Sequence, residues 1–242
     1  MKNLIVMLFA LFFIGKNTHA QTYKEGNIFG FTVNVGSSSF ADAFSWSHYH
    51  NFGKKSRFKI GYGIRLTNFF GSDLDYITAP AKYTSGKESI AALISESILG
   101  NLDTVSFASS QVNFLNTGIY LAYTLPFLRD KIDFGINIDA LGFSFGEKQQ
   151  GVYKNNNVSA NPTRFNVLLI SDSDLGSLNS EWYLRYKVSN KWALKAGYEF
   201  LFTEYTTDSK IQRIANSADT NDRFRLKSPM IMIGIQFYPF KK

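Results

Sequence analysis

Along the stretch FKIGYGIRLTNFF, Phe58, Ile60, Tyr62, Ile64 and Leu66 share one parity, and Lys59, Gly61, Gly63, Arg65 and Thr67 share the other. Successive side chains of a strand point to opposite faces, so this pattern predicts a strand with one apolar and one polar face. The pattern recurs. Phe29, Phe31, Val33 and Val35 oppose Gly30, Thr32, Asn34 and Gly36, and Leu115, Ile119, Leu121 and Tyr123 oppose Asn116, Gly118 and Ala122. Ile132, Phe134, Ile136 and Ile138 oppose Asp133, Gly135, Asn137 and Asp139. Trp182, Leu184, Tyr186 and Val188, then Trp192, Leu194, Tyr198, Phe200 and Phe202, form the apolar sides of two further strands, with Glu181, Arg185, Lys187, Lys195, Gly197 and Glu199 opposite them. Ile231, Ile233, Ile235 and Phe237 face away from Met230, Met232, Gly234 and Gln236. The weaker alternation of DAFSWSHYHNF, residues 42 to 52, supplies an eighth strand.

Eight strands of this length suit a closed antiparallel barrel whose strands cross a bilayer at a tilt. The connections set its direction. GKKSR (53–57), PFLRDK (126–131) and SNK (189–191) are short, and they alternate with the long stretches 71–110, 147–178 and 207–222. Such an asymmetry puts short turns at the periplasmic end and long loops outside. A soluble lipocalin-like barrel also alternates, but its apolar face would have to fill a narrow lumen with Phe, Tyr and Trp while the glycines lined the outside. Gly30, Gly61, Gly63, Gly118, Gly135, Gly197 and Gly234 all share the charged face, where small residues relieve crowding in a small barrel. The apolar parity is therefore expected to face lipid, with Phe31, Ile60, Ile64, Leu121, Ile136, Leu184, Leu194 and Ile233 at mid-strand.

The N-terminus agrees with export. Met1-Lys2-Asn3 precedes the apolar run Leu4 to Ile14 and then GKNTHA, which reads as a signal peptide, residues 1–20, cut after Ala20. Eleven apolar residues are too few to span a bilayer as a helix. Residues 21–242 are then one outer-membrane β-barrel domain, with no Pro-rich or Gly/Ser-rich linker dividing them. The chain has no cysteine, which excludes a disulfide framework and a lipidated N-terminus. Lys2 and Lys16 leave with the signal, so the 26 basic residues become 24 against 19 acidic ones, a mild +5. No basic block suits a phosphate backbone, and no nucleic-acid partner is expected.

With its export signal, eight alternating segments, loop asymmetry and terminal aromatic strand GIQFYPF, the chain resembles the small eight-stranded outer-membrane barrels of the OmpA, OmpX and OmpW type over residues 25 to 240. The resemblance implies an all-β fold, an eight-stranded antiparallel up-and-down transmembrane β-barrel with short periplasmic turns and long outer loops. It also implies location in the outer membrane, contact with its lipid, delivery by the barrel-assembly machinery and a monomeric state. The ending departs from the usual pattern at Pro239, Lys241 and Lys242. The family spans adhesins, lipid-binding channels, enzymes and plain structural barrels, so a fold does not name an activity.

Candidate chemistry is sparse. His48 and His50 point the same way from one strand, but the sequence offers no third ligand, and aromatic packing with Trp46 and Phe52 is favoured over a metal site. SWSHYH has no orienting acid for a Ser/His hydrolase. Asp73 with Asp75, and Asp172 with Asp174, lack the spacing of an EF-hand loop and read as solvated loop acids. In TSGKESIAALISESILGN, Ser85 and Glu88 have capping-box spacing and Ile90, Leu93, Ile94 and Ile98 recur at helical intervals, which predicts a helix over residues 86 to 99. It would lie outside the membrane, as a lid on loops such as 166–170 or as a partner-binding element. No catalytic residue, metal or cofactor is expected.

What remains is the inner parity: Lys59, Arg65, Asp133, Asp139, Glu181, Arg185, Lys187, Lys195 and Glu199. An eight-stranded interior is only wide enough for its own side chains, so these charges are expected to interlock as a plug. Asp139, Glu181 and Glu199 lie at similar heights, with Arg65, Arg185 and Lys195 as the cations expected to meet them. Arg225 and Lys227, on the lipid parity at the outer end of the last strand, are placed for contact with outer-leaflet lipid. The expected function is that of a non-enzymatic barrel with a structural or surface-binding role. The alternative is a narrow channel or an OmpW-like conduit for small apolar molecules.

Overall fold

The structure, a computed structural model of the chain, describes residues 26–87, 96–126, 130–169 and 174–239. The signal peptide expected over residues 1–20 lies outside them. The strands are β1 (Asn27–Val35), β2 (Ser39–Phe52), β3 (Phe58–Thr78), β4 (Thr104–Thr124), β5 (Ile132–Phe145), β6 (Gln149–Tyr153), β7 (Asn156–Pro162), β8 (Phe165–Val167), β9 (Leu178–Lys187), β10 (Trp192–Thr207), β11 (Gln212–Arg213), β12 (Thr220–Asn221) and β13 (Arg223–Phe237). Eight of them close a ring in the order β1, β2, β3, β4, β5, β9, β10, β13 and back to β1, every neighbour antiparallel. Closure leaves no edge strand in this ring, the condition a sheet must meet to sit in hydrocarbon.

The alternation read from the sequence becomes the two faces of this wall. Leu194 is 54 % exposed and Ile233 62 %, whereas Lys195 is 4 % exposed and Met232 is sealed. Ile60, Ile64 and Leu184 are also exposed, and Phe31, Leu121 and Ile136 lie half-buried among their outward neighbours. A belt of this composition belongs in lipid, because no water-facing surface of this size is apolar on one whole parity. Near the short turns the belt is aromatic. Trp46, Tyr62, His48 and His50 pack ring to ring, and Trp192 lies 4.8 Å from Phe237.

Inside, two glycines make room for rings. A Cβ on Gly61 would fall 2.9 Å from the Tyr49 ring, and one on Gly63 2.8 Å from that of Tyr120, so each tyrosine lies flat across a neighbouring strand. A bulge keeps the parity of β5 correct. Thr117 pairs with Leu141 and Gly118 with Asp139, leaving Ala140 as the extra residue. Asp139 therefore points inward while Leu141, Phe143 and Phe145 point outward.

Beyond the belt the barrel continues as a second, narrower ring. The hairpin of β1 and β2 ends at residues 36–38, and β3 leans across the gap to pair with β13 through Ile77↔Arg225 and Thr78↔Phe224. β4 meets β6 at Ser106↔Val152, β6 pairs with β7, and β7 pairs with β10 from Ala160 to Pro162. The order β3, β4, β6, β7, β10, β13 closes through six strands. Its interior is apolar: Tyr76, Phe107 and Tyr205 stack at 4.9–5.2 Å with Val105, Tyr153 and Phe224 around them. The Tyr76 hydroxyl is satisfied by Ser110 at 2.6 Å and Thr203 at 2.9 Å, and burial pushes its pKa up.

The first two stretches expected to be long outer loops are thus partly strand, at both ends of 71–110 and in the hairpin of β6 and β7. The missed signal is continued alternation, with Val105 and Phe107 against Ser106 and Ala108, and the turn Lys154-Asn155, where both residues have positive φ, joining β6 to β7. Most of the helix expected over residues 86 to 99 falls on residues 88–95, outside the described residues. Among those described, Ser85 does not open a helix. It closes the short helix α1 (Ala81–Thr84) instead, its hydroxyl donating to the Ala81 carbonyl at 3.0 Å, and residues 96–98 are not helical.

Arginine at Ile64, Leu194 or Ile233 is expected to cost about 2–4 kcal/mol in equilibrium folding into vesicles. The same substitution at exposed Gln150 of the outer hairpin should be near neutral; equal tolerance would contradict the inside–outside assignment. Phe107→Ala is expected to cost roughly 3–5 kcal/mol, as for other buried aromatics. Limited proteolysis should then cut within 71–78 or 104–110 while the membrane strands stay protected.

Candidate functional site

Eight of the nine inner-parity charges are buried, and the ninth, Lys187, stands at the inner mouth with its side chain 16 % exposed. They form two storeys. In the inner storey Asp133 of β5 is the single anion. Its carboxylate accepts from Lys59 Nζ at 3.1 Å, Arg185 Nε at 2.9 Å, Arg185 Nη2 at 2.6 Å and the Thr124 hydroxyl at 2.7 Å, with Lys187 Nζ at 3.5 Å. The register brings them together, since Asp133 pairs with Arg185 on β9 and with Thr124 on β4. Arg185 also donates to Gln236 at 3.2 Å and lies over the Tyr49 ring at 5.4 Å. Four strands are tied together around one carboxylate.

The outer storey is built on Arg65 of β3. It reaches across the lumen to Asp139 of β5, to Glu181 Oε1 of β9 at 2.8 Å, and to the Asn179 carbonyl at 3.2 Å. Glu181 Oε2 also accepts from Lys195 at 2.7 Å and Asn137 at 2.6 Å. Asp139 accepts from Asn116 Nδ2 at 2.8 Å and from the Asn179 N–H at 3.1 Å. Between the storeys the Tyr49 and Tyr183 hydroxyls meet at 3.1 Å, and Tyr183 donates to Asn137 at 3.3 Å. Lys195 sits 4.3 Å above the Tyr183 ring.

Two details differ from the sequence-based expectation. Arg185 was expected to meet Asp139, Glu181 and Glu199, but it lies at the inner level, where the register sets it beside Asp133. Glu199 pairs in register with Glu181 and is sealed, yet neither of its oxygens has a hydrogen-bond partner. The neutral side chains of Asn116, Asn137, Thr124 and Gln236 and the backbone of Asn179 complete the network. They share the inward parity, but a neutral side chain gives no sign in the sequence of which charge it serves.

Arg225 requires a correction. It lies on the outward parity, as its spacing from Ile231 implied, but it is buried rather than spread on lipid. Glu204 of β10 stands opposite it in register and accepts from Arg225 Nη2 at 2.7 Å and from Arg223 Nε at 2.8 Å. Both arginines also donate to the Asp174 carbonyl, and Ser177 Oγ accepts from the Glu204 N–H at 3.3 Å. The segment 174–177 is held against the wall and covers the pair. Lys227, two residues further into the barrel, is exposed on the outward face.

The other candidates resolve into structure. His48 and Trp46 both bond Asn27 Oδ1 at 3.2 Å on the outer face of the barrel, and the described residues hold no group of three or more His, Asp or Glu side chains arranged for a metal. Asp75 of β3 accepts from Ser106, its register partner on β4, at 2.6 Å, and Asp174 accepts from the Leu169 N–H at 2.6 Å in the connection before β9. At the outer hairpin, hydrogen bonding to Asp103 raises the Lys154 pKa.

The closed ring, the apolar belt and the short inner turns decide the fold. The chain is an eight-stranded transmembrane β-barrel. No family model and no curated protein matches it. Among solved structures it is similar to Neisserial surface protein A, with 7% identity over 88% of this chain and 94% of that one at a TM-score of 0.39. It is similar to the Yersinia pestis outer membrane protein Ail in a phospholipid nanodisc, with 9% identity over 88% and 98% at 0.35. It is also similar to the Ralstonia pickettii toluene transporter TbuX, with 11% identity over 83% and 68% at 0.22. At such scores the likenesses add no argument to the one the ring already makes.

Asp133→Asn would leave Lys59, Arg185 and Lys187 facing one another around a neutral amide. The expected cost is about 3–5 kcal/mol, as for breaking one partner of a buried pair. Asp130→Asn, which breaks the exposed pair with Arg57 at 3.0 Å, should cost under about 1 kcal/mol. Urea unfolding of the refolded barrel in vesicles compares the two; equal costs would remove Asp133 from its central place.

Proposed function

We propose that the protein is a non-enzymatic outer-membrane barrel with a structural or surface-binding role, and that its lumen is plugged by its own side chains. The supporting observation is the two-storey network, in which Asp133 grips three cations and Arg65 bridges two carboxylates across a lumen no wider than the side chains that fill it. Above it, the aromatic core of the six-stranded ring fills the outer interior. An ion would have to displace bonded charge and then cross packed rings, two costs of several kcal/mol each.

On this reading the protein is exported by residues 1–20, inserted by the barrel-assembly machinery and monomeric, with lipid around its belt. The outer ring and the hairpin of β6 and β7 are what it offers to a surface ligand or partner. The alternative, a narrow channel or an OmpW-like conduit for small apolar molecules, needs a route that the charged storeys oppose.

Planar-bilayer recordings test the plug. The wild-type barrel is expected to pass no steady current, whereas the double variant Arg65→Ala, Glu181→Ala, which removes both ends of the β3–β9 bridge and strips Asp139 and Lys195 of those partners, should open brief conducting events. Large, steady conductance of the wild type would overturn the plug and favour the transport reading.

A further inference from the structure

The inner end of the barrel carries charge of nearly one sign. The turn between β2 and β3 holds Lys54, Lys55 and Arg57, the turn before β5 ends in Lys131, and the turn between β9 and β10 ends in Lys191. Among the described residues of these turns the one acid is Asp130, and Arg57 takes it at 3.0 Å. Lys54, Lys55, Lys131 and Lys191 are exposed, and among the described residues no carboxylate pairs with any of them. In the sequence, the stretches 21–25, 127–129 and 240–242, which adjoin the same strand ends along the chain, add four basic residues and one acidic one, so the sign does not turn on them. The outer end is different. There Lys148 pairs with Asp208 and Lys154 with Asp103, each at 2.9 Å, and Glu204 holds both Arg223 and Arg225.

Backbone bonds join the inner turns into one rim. The Ser56 N–H closes the first turn on the Gly53 carbonyl, the Thr124 N–H donates to the Arg57 carbonyl, the Lys187 N–H to the Lys131 carbonyl and the Tyr238 N–H to the Lys191 carbonyl, all at 2.9 Å. The four lysines therefore stand at fixed stations around the wall, on three of the turns that link the ring at this end.

Their height decides what they meet. Phe52 and Phe58 flank the first turn on the lipid face and Trp192 follows Lys191, and these three rings are 44–48 % exposed. Each lysine lies within three residues of such an outward side chain, Lys131 being three from Phe134. That is roughly 10 Å of extended chain at most. A girdle of aromatic rings marks the boundary between hydrocarbon and headgroups, and a long cationic side chain rooted just past it carries its ammonium to the level of the lipid phosphates.

We propose that this rim binds the anionic phospholipid headgroups of the inner leaflet, with Lys54, Lys55, Lys131 and Lys191 as the cations that meet them. A lipid fits better than a soluble polyanion because the four stand beside lipid-facing residues around the wall and are not gathered over the lumen mouth. The choice of leaflet rests on the reading that the short turns face the periplasm; the binding itself does not depend on the plug.

The test measures headgroup preference. The refolded barrel is placed in phosphatidylcholine bilayers, and the association of spin-labelled phosphatidylglycerol with its lipid shell is compared with that of spin-labelled phosphatidylcholine. The wild type is expected to favour phosphatidylglycerol by about two- to fivefold at low salt, and by less when screening shortens the reach of the charges. The variant Lys54→Gln, Lys55→Gln, Lys131→Gln, Lys191→Gln should lose the preference, and the same four changed to arginine should keep it. The variant Lys87→Gln, Lys148→Gln, Lys154→Gln, Lys210→Gln, which removes equal charge from the outer end, should behave as the wild type. Protease protection of the membrane strands reports insertion in every case, so a barrel that fails to insert is distinguished from a rim that fails to bind. No preference in the wild type, an undiminished preference in the inner glutamine variant, or an equal loss in the outer one would overturn the proposal. Retention of the wild type but not the inner variant on insoluble peptidoglycan, without a lipid preference, would overturn it in favour of a cell-wall polymer.

Discussion

The structure depends on one carboxylate being worth more to three cations inside the barrel than water would be. Asp133 collects Lys59, Arg185 and Lys187 from two strands besides its own, and each of those strands must keep its register for the bonds to form. Shifting β9 by one residue would send Arg185 into lipid and Trp182 into the lumen, because strand faces alternate. The network therefore specifies register as well as filling space. A dry interior makes this constraint severe, since a buried charge that loses its partner has no water to fall back on.

A second constraint is the inequality of strand lengths. β3 and β4 each run 21 residues, while β1 has 9 and β9 has 10. Short strands drop out at the membrane rim, and the long ones would be left with open edges outside. The chain closes those edges by bringing β3 onto β13 and by inserting the hairpin of β6 and β7 between β4 and β10. Losing two strands narrows the ring, and a narrower ring outside the membrane has no reason to hold charge. It is filled by Tyr76, Phe107, Tyr205 and Phe224 instead.

Parity made the membrane tier legible in the sequence. Phe58 to Thr67 display it without interruption, and the glycines at 61 and 63 mark the crowded side. Pairings within the tier were less legible, because they depend on shear. Arg185 and Arg65 look equivalent along the chain, yet their strands place one at the inner level and the other opposite Asp139 and Glu181. The outer tier was hidden for a different reason. There the interior is apolar and the outward face polar, as in a soluble sheet, so the rule that served for residues 58–67 reverses at Phe69, which sits on the inward parity and is fully buried. Arg225 was misplaced for want of its cover, since nothing local announces that residues 174–177 fold over it.

The same reversal bears on where function can reside. Inside the membrane tier every inward charge already serves a neighbour or is sealed, and a side chain committed to holding four strands in register is poorly placed to bind something else. The outer tier has the opposite economy. Its core is fixed by rings that need no solvent, which leaves its outward face, with Gln150, Asn155, Asn156, Ser159 and Asn161 exposed or half-exposed along one hairpin, engaged only in exposed hydrogen bonds such as Ser159 to Gln150 and Asn161 to Asp208. Selection can alter such residues without disturbing either ring. On the proposed reading, a barrel arranged in this way carries a plug where a channel would need an opening, and a tolerant surface where a recognition element would need variety.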